Sequence, residues 1–241
     1  MTPHASTLVT FGIPTLAVLV MALQALIIRR YVDSGAATRF ALSSALWLAY
    51  SAVLGVTGFL ADFEAVPPRV AALVLPALVL PVLVALSPLG ARLASQTPLA
   101  VLIGLQAFRV PLELVMHQAA VEGTMPPQMT YTGSNFDIVT GLSAAAVAGL
   151  CAWGRAPRWL LVAWNALGSA LLVTILAIAL ASMPMFRAFG SEPERVNTWV
   201  AFFPFVWLPA GPVTVALLGH LLLWRRLLSH GMRGRALSAL S

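Results

Sequence analysis

Residues 98–118 read PLAVLIGLQAFRVPLELVMHQ, an apolar run that carries Arg109, Glu113 and His117 at four-residue intervals. In an α-helix this spacing sets three ionisable side chains along one face of an otherwise greasy rod. The run is long enough to enter the hydrocarbon core of a bilayer, where an unpaired charge is costly. The charged face therefore has to meet protein or a wet cavity, and such a helix needs several apolar partners around it.

The rest of the chain supplies them. Of its 241 residues, 60% are hydrophobic and 9% charged, and the apolar residues are gathered into long blocks. That is far from the composition of soluble domains. A bilayer core takes about 20 helical residues. The blocks predict a single-domain, all-α polytopic transmembrane bundle of seven helices over residues 1–241, with spans near 10–29, 40–60, 70–89, 98–117, 138–154, 159–182 and 199–224. The expected connections at 90–97 and 155–158 are short, so neighbouring helices are expected to run antiparallel. No internal repeat divides the chain.

Arginine orients the bundle, because the sequence contains no lysine. Alternate connections gather Arg29, Arg30, Arg39, Arg92, Arg155, Arg158, Arg225, Arg226, Arg233 and Arg235 on one side, against Arg69, Arg187 and Arg195 on the other. By the positive-inside rule the rich side is cytoplasmic, which puts the N-terminus outside and the C-terminus inside. The first apolar run has no basic residue before it and is followed by Arg29 and Arg30, the pattern of an uncleaved first span rather than a signal peptide.

Charge and composition also exclude functions. The net charge of +6 belongs to short flanks of apolar spans, so it reads as membrane anchoring and not as a nucleic-acid surface. Without lysine there is no ordinary retinal Schiff base. The lone Cys151 makes no internal disulfide, and no His-Glu-x-x-His or Gly-x-Ser-x-Gly motif occurs. Met116, Met125, Met129, Met183 and Met185 fall on the outer side, where thioethers and His117 form only a weak copper(I) pattern. His117 and His220 are expected at different depths, which separates them as ligands of one metal or haem. His220 is read instead as an interhelical hydrogen-bonding residue beside Asn165. No catalytic residue, metal ligand or cofactor is named by the sequence.

Entering from the cytoplasmic side near Pro98, the helix rise puts Arg109 about 16 Å along the axis, Glu113 about 22 Å and His117 about 28 Å. Arg109 is then at the deep end of a polar cavity and His117 at its outer mouth. Contact between Arg109 and Glu113 would neutralise both. Gln106, seven residues before Glu113, extends the stripe inward. Pro111 takes a donor away from the carbonyl of Ala107 and is expected to disturb the helix beside Arg109. The connection that follows is polar and contains Glu122, Asn135 and Asp137, and it is expected to fold over the mouth as a lid or wall. Ser134 and Asp137 also match a capping box, with Asp in the usual Glu position, so Asp137 and Asn135 have a competing capping role.

The ligand-binding or proton-handling candidates are therefore Arg109, Glu113, His117, Gln106, Glu122, Asn135 and Asp137. They point to binding or transport of a small polar or anionic ligand through an outward-facing cavity. Two other classes stay open. One is an intramembrane hydrolase, metal-dependent or not, acting on a lipid-like substrate; the other is a structural or complex-assembly protein. Whether the chain is an enzyme is thus undecided at this level. Expected partners are membrane lipids, the ligand, and a protein partner or second copy.

Three stretches besides the charged helix carry a family likeness: residues 127–137 (PQMTYTGSNFD), 164–168 (WNALG) and 202–209 (FFPFVWLP). With 108–113 (FRVPLE), they resemble an uncharacterised family of bacterial multi-spanning membrane proteins. The resemblance implies a multi-pass protein of the bacterial inner membrane and carries no activity onto particular residues.

Overall fold

Ser6 opens the first helix by accepting the amide of Val9, and Asp33 opens the second by accepting the amide of Ala36 at 2.6 Å. The computed structural model describes residues 5–238, with side chains described for residues 5–229. The helices are α1 (Thr7–Tyr31), α2 (Ser34–Val56), α3 (Ala71–Leu86), α4 (Pro88–Gln96), α5 (Leu99–Gly104), α6 (Arg109–Val121), α7 (Ile138–Ala152), α8 (Arg158–Ala181) and α9 (Thr214–Ser238). α5 and α6 are joined through a 3₁₀ turn, Leu105–Phe108, into one rod, so the described residues form an all-α bundle of eight rods. Four rods are long and apolar enough to cross a membrane: Thr7–Tyr31, Ser34–Val56, Leu99–Val121 and Arg158–Ala181. The count rises to five if α3 and α4 together make one span. α7, at 15 residues, is a shorter apolar helix.

The segments predicted as spans three and seven are less regular than expected. α3 runs straight through Pro76 and Pro81 but ends at Leu86, and α4 leaves it at an angle of 70°. The cause is local. Ser87 precedes a proline, which disfavours helical backbone; it is extended, and its hydroxyl caps α4 by accepting the amide of Gly90 at 3.2 Å. A side chain at position 90 would strike the carbonyls of Val84 and Ala85, so glycine permits the tight bend. Residues 90–97, expected to be a short connection, are therefore mostly helix.

The expected span 199–224 is helical in its second half. It opens with a 3₁₀ turn (Trp199–Ala201), continues irregularly, passes through a π-helical turn (Pro209–Val213) and becomes α9 only at Thr214, which extends past residue 224. Pro204, Pro209 and Pro212 explain the delay, since each lacks an amide donor. Irregular backbone at this depth is tolerable where it is buried in protein and its carbonyls find donors. Both conditions hold. Ala210, Gly211 and Pro212 are buried, Trp47 Nε1 donates to the Ala210 carbonyl at 2.8 Å, and Thr214 Oγ1 donates to that of Pro209 at 3.1 Å. In return Trp207 Nε1 donates to the Leu48 carbonyl of α2 at 2.9 Å.

α9 packs against α3, α4, α5 and α8, while α1 packs against α2, α6 and the π turn. The largest core cluster joins α1, α6, the 199–216 segment and the loop methionines Met125 and Met129. Outward faces carry large apolar side chains such as Phe11, Leu42, Leu46, Leu86 and Leu142, as a lipid-facing surface requires. At the arginine-rich end guanidinium groups bind helix-end carbonyls, Arg225 those of Ala85 and Ser87 and Arg226 that of Thr97, while Arg158 donates to the carbonyl of Leu227 within α9. Cations suit these positions, because C-terminal carbonyls have no helical partner. The side chains of Arg233 and Arg235 lie outside the described residues.

Candidate functional site

α6 begins at Arg109, immediately after the 3₁₀ turn and two residues before Pro111. The disturbance expected at Pro111 is thus a local tightening of the rod, with the amide of Arg109 donating to the carbonyl of Gln106. One turn separates Arg109 from Glu113, and both are almost completely buried. Their partners come from the following loop. Arg109 Nη1 pairs with Asp137 Oδ1, an ion pair whose side chains are 1% and 8% exposed. Asn135 Nδ2 donates to both Glu113 oxygens, at 2.9 and 3.0 Å, and its Oδ1 accepts the amide of Asp137 at 3.0 Å. Thr140 Oγ1 donates to Asp137 at 3.2 Å. A continuous network, Glu113 to Asn135 to Asp137 to Arg109, therefore ties the charged helix to the start of α7.

Two expectations are corrected here. Arg109 makes its ion pair with Asp137 and not with Glu113, because the loop delivers a carboxylate to it at the start of the neighbouring α7. The capping box also fails to form: Asp137 occupies the N-cap of α7, but its carboxylate makes no capping bond. Asn135 does act locally, by accepting the Asp137 amide.

The remaining candidates lie elsewhere. His117 is half-buried, with Nδ1 3.3 Å from Thr132 Oγ1 and its ring 4.8 Å from that of Tyr131. Glu122, at the end of α6, accepts the amide of Ser6 at 2.8 Å and Gln118 Nε2 at 2.7 Å, fastening α1 to α6. Hydrogen bonds from the Ser6 side chain and backbone hold the Glu122 carboxyl below its ordinary value. Gln106 is buried against α9, where Nε2 donates to the Ala216 carbonyl at 3.4 Å.

Arg109, Glu113 and Asp137 share the wall of a cavity of ≈ 90 Å³. A fourth polar residue, Asn197, joins them there, and the sequence reading did not select it. It lies in a long connection, between Val196 and Thr198, with no motif around it. Its side chain is fully buried, its Nδ2 donates to the Ala179 carbonyl at 2.9 Å, and its Oδ1 has no partner among the described residues. Arg109 Nε and Nη2 are likewise buried and unpartnered among the described residues. All other lining side chains are apolar, from α3, α6, α8, the loop and the 200–216 segment. Met129 and Asp137 make the loop part of this wall, and Met116, Met129 and Met183 bring three thioethers to it.

A second buried polar pair lies between α8 and α9. His220 Nδ1 is 2.7 Å from Asn165 Oδ1, and Asn165 Nδ2 donates to the His220 carbonyl at 3.2 Å, the interhelical bond expected for His220. No group of three or more His, Cys, Asp or Glu side chains placed to hold a metal exists among the described residues.

These features define a class: an all-α membrane protein whose bundle holds a largely apolar cavity with an ion-paired polar network in its wall. Residues 66–228 match the family model described as Domain of unknown function (DUF8737), and the chain belongs to that family. The match contains the charged rod, the loop and every residue of the network. No curated protein and no solved structure matches the chain.

Proposed function

We propose that this protein is a multi-pass component of a bacterial inner membrane that binds a lipid-borne amphiphile, and passes it between membrane and outside, with the polar group of that molecule at Arg109, Glu113, Asp137 and Asn197. The observation that carries this reading is the cavity itself, whose largely apolar wall includes Arg109 and Asn197, each with buried polar atoms that have no partner among the described residues. A small, fully hydrated solute would lose its water against such a wall, whereas an acyl or isoprenoid chain loses nothing there. The charge balance narrows the polar group. Arg109 already faces the Asp137 carboxylate and has Glu113 one turn away, so the cluster has no surplus positive charge. A neutral hydroxyl group, able to accept from Arg109 and donate to Asn197 Oδ1, fits better than a free anion.

The test is native mass spectrometry of the full-length protein in detergent, titrated with a monoacylglycerol and, separately, with lysophosphatidic acid. The neutral amphiphile is expected to bind at least tenfold more tightly, and Leu176→Trp, which fills the cavity, is expected to abolish the difference. Equal binding of the two, or unchanged binding in the variant, refutes the assignment. The pair of carboxyl groups on one wall favours a second reading, hydrolysis of the bound molecule, which release of free fatty acid in the same mixture would reveal.

A further inference from the structure

A different crevice opens at the arginine-rich end of the bundle, between α2 and the bent pair α3–α4. It has two compartments. The first, of ≈ 370 Å³, is lined by Arg39 and Arg92 together with Phe40, Ser43, Val84 and Leu89. The second, of ≈ 120 Å³, reaches Trp47 and Leu80 and shares Phe40, Ser43 and Val84 with the first. A compartment carrying two arginines thus adjoins a more apolar one, with Phe40, Ser43 and Val84 forming the wall common to both.

The charges in the first compartment are unbalanced. Arg92 pairs with Asp33 at 2.8 Å and donates to the Val32 carbonyl at 3.2 Å. Arg39 is exposed and forms no hydrogen bond or salt bridge among the described residues. Two guanidinium groups therefore share a single carboxylate, which the Ala36 amide, the Arg92 hydrogen bond and the charges of Arg92 and Arg39 hold below its ordinary pKa. α4 adds a second feature. It buries Gly90, Leu93 and Ala94, exposes Arg92, Ser95 and Gln96, and departs from α3 at 70°. A short helix with one apolar and one polar face, turned away from the apolar α3, has the form of an interfacial helix lying at headgroup level.

We propose that this crevice is a specific site for an anionic glycerophospholipid, with its phosphate held between Arg39 and Arg92 and one acyl chain laid between α2 and α3 past Phe40 and Val84 to Trp47. Basic pockets between membrane helices recognise anionic headgroups in this way. The apolar compartment selects a lipid over free phosphate, and the surplus guanidinium selects an anionic over a zwitterionic headgroup. The site is separate from the cavity at Arg109 and stands whether or not that cavity binds an amphiphile.

The test uses the full-length protein in dodecylmaltoside, with thermal melting followed as phosphatidylglycerol, phosphatidylcholine or inorganic phosphate is added. Phosphatidylglycerol is expected to raise the melting temperature at least twice as much as phosphatidylcholine, and phosphate to leave it unchanged. Arg39→Gln is expected to weaken the apparent affinity for phosphatidylglycerol about five-fold. Ser43→Trp, at an exposed position of α2, is expected to weaken it similarly by blocking the chain compartment. No response to phosphatidylglycerol, an equal response to phosphatidylcholine or to phosphate, or unchanged affinity in both variants overturns the proposal.

Discussion

Asp137 stands at the N-cap of α7, where a carboxylate usually caps, yet it is turned to Arg109. Burial explains the preference: an amide left to water or a neighbour costs less than a guanidinium left alone among apolar side chains. Asp137→Asn is therefore expected to destabilise the protein by about 3–5 kcal/mol, against less than about 1 kcal/mol for Glu122→Gln at the rim. Denaturant unfolding in mixed micelles measures both, and equal costs would remove the ion pair from its structural role. Glu122 supplies a pH effect. Its folded-state pKa lies below the ordinary 4.5, so the stability it contributes is complete above that value and is lost as pH falls through the folded one. Melting curves of wild type and Glu122→Gln should differ at pH 7 and converge as pH falls through the lowered folded-state value.

Among the elements, α8 and α9 approach closely because position 168 has no side chain. A Cβ there would lie 2.5 Å from His220 Cε1 and 2.9 Å from Thr140 Cγ2, both in the packed interior. At Gly149 on α7 the same Cβ would meet nothing within 4 Å. Gly168→Ala is thus expected to destabilise by about 1–3 kcal/mol, and Gly149→Ala to be neutral or to stabilise by up to about 1 kcal/mol. Thermal unfolding of the two variants beside wild type decides this, and equal effects would contradict the close α8–α9 approach. The same scale explains why His117 leaves the charged stripe. At 3.6 residues per turn, four residues rotate a side chain by about 40° and eight by about 80°. Glu113 stays with Arg109 on the cavity wall, while His117 turns toward Thr132 and Tyr131 of the loop.

For the whole molecule, the arginine bias and the orientation expected from the sequence make a directional prediction. In a Cys151→Ser background, Ser134→Cys should react with a membrane-impermeant maleimide in intact cells, and Ser95→Cys only after permeabilisation. Reaction of both from one side would overturn the orientation. Legibility divides along physical lines. The fold class was readable because membrane burial depends on nearly additive transfer of apolar side chains, which composition and block length report directly. Arg109 and Glu113 were readable as cavity-facing because a charge in so apolar a helix needs shelter. Their partners were not, since spacing along one helix says which way a side chain points and nothing about what meets it. Asp137 reaches Arg109 from 28 residues away, and Asn197 reaches the same cavity from beyond α8. The 70° turn at Ser87 had a local signal in Ser-Pro, but the crevice it shapes exists only with α2 alongside. Sequence settled that the chain is a helical membrane protein with a sheltered charge; which groups shelter that charge, and the apolar wall beside them, came from packing between distant segments, because those contacts depend on loop closure and helix approach that no local pattern encodes.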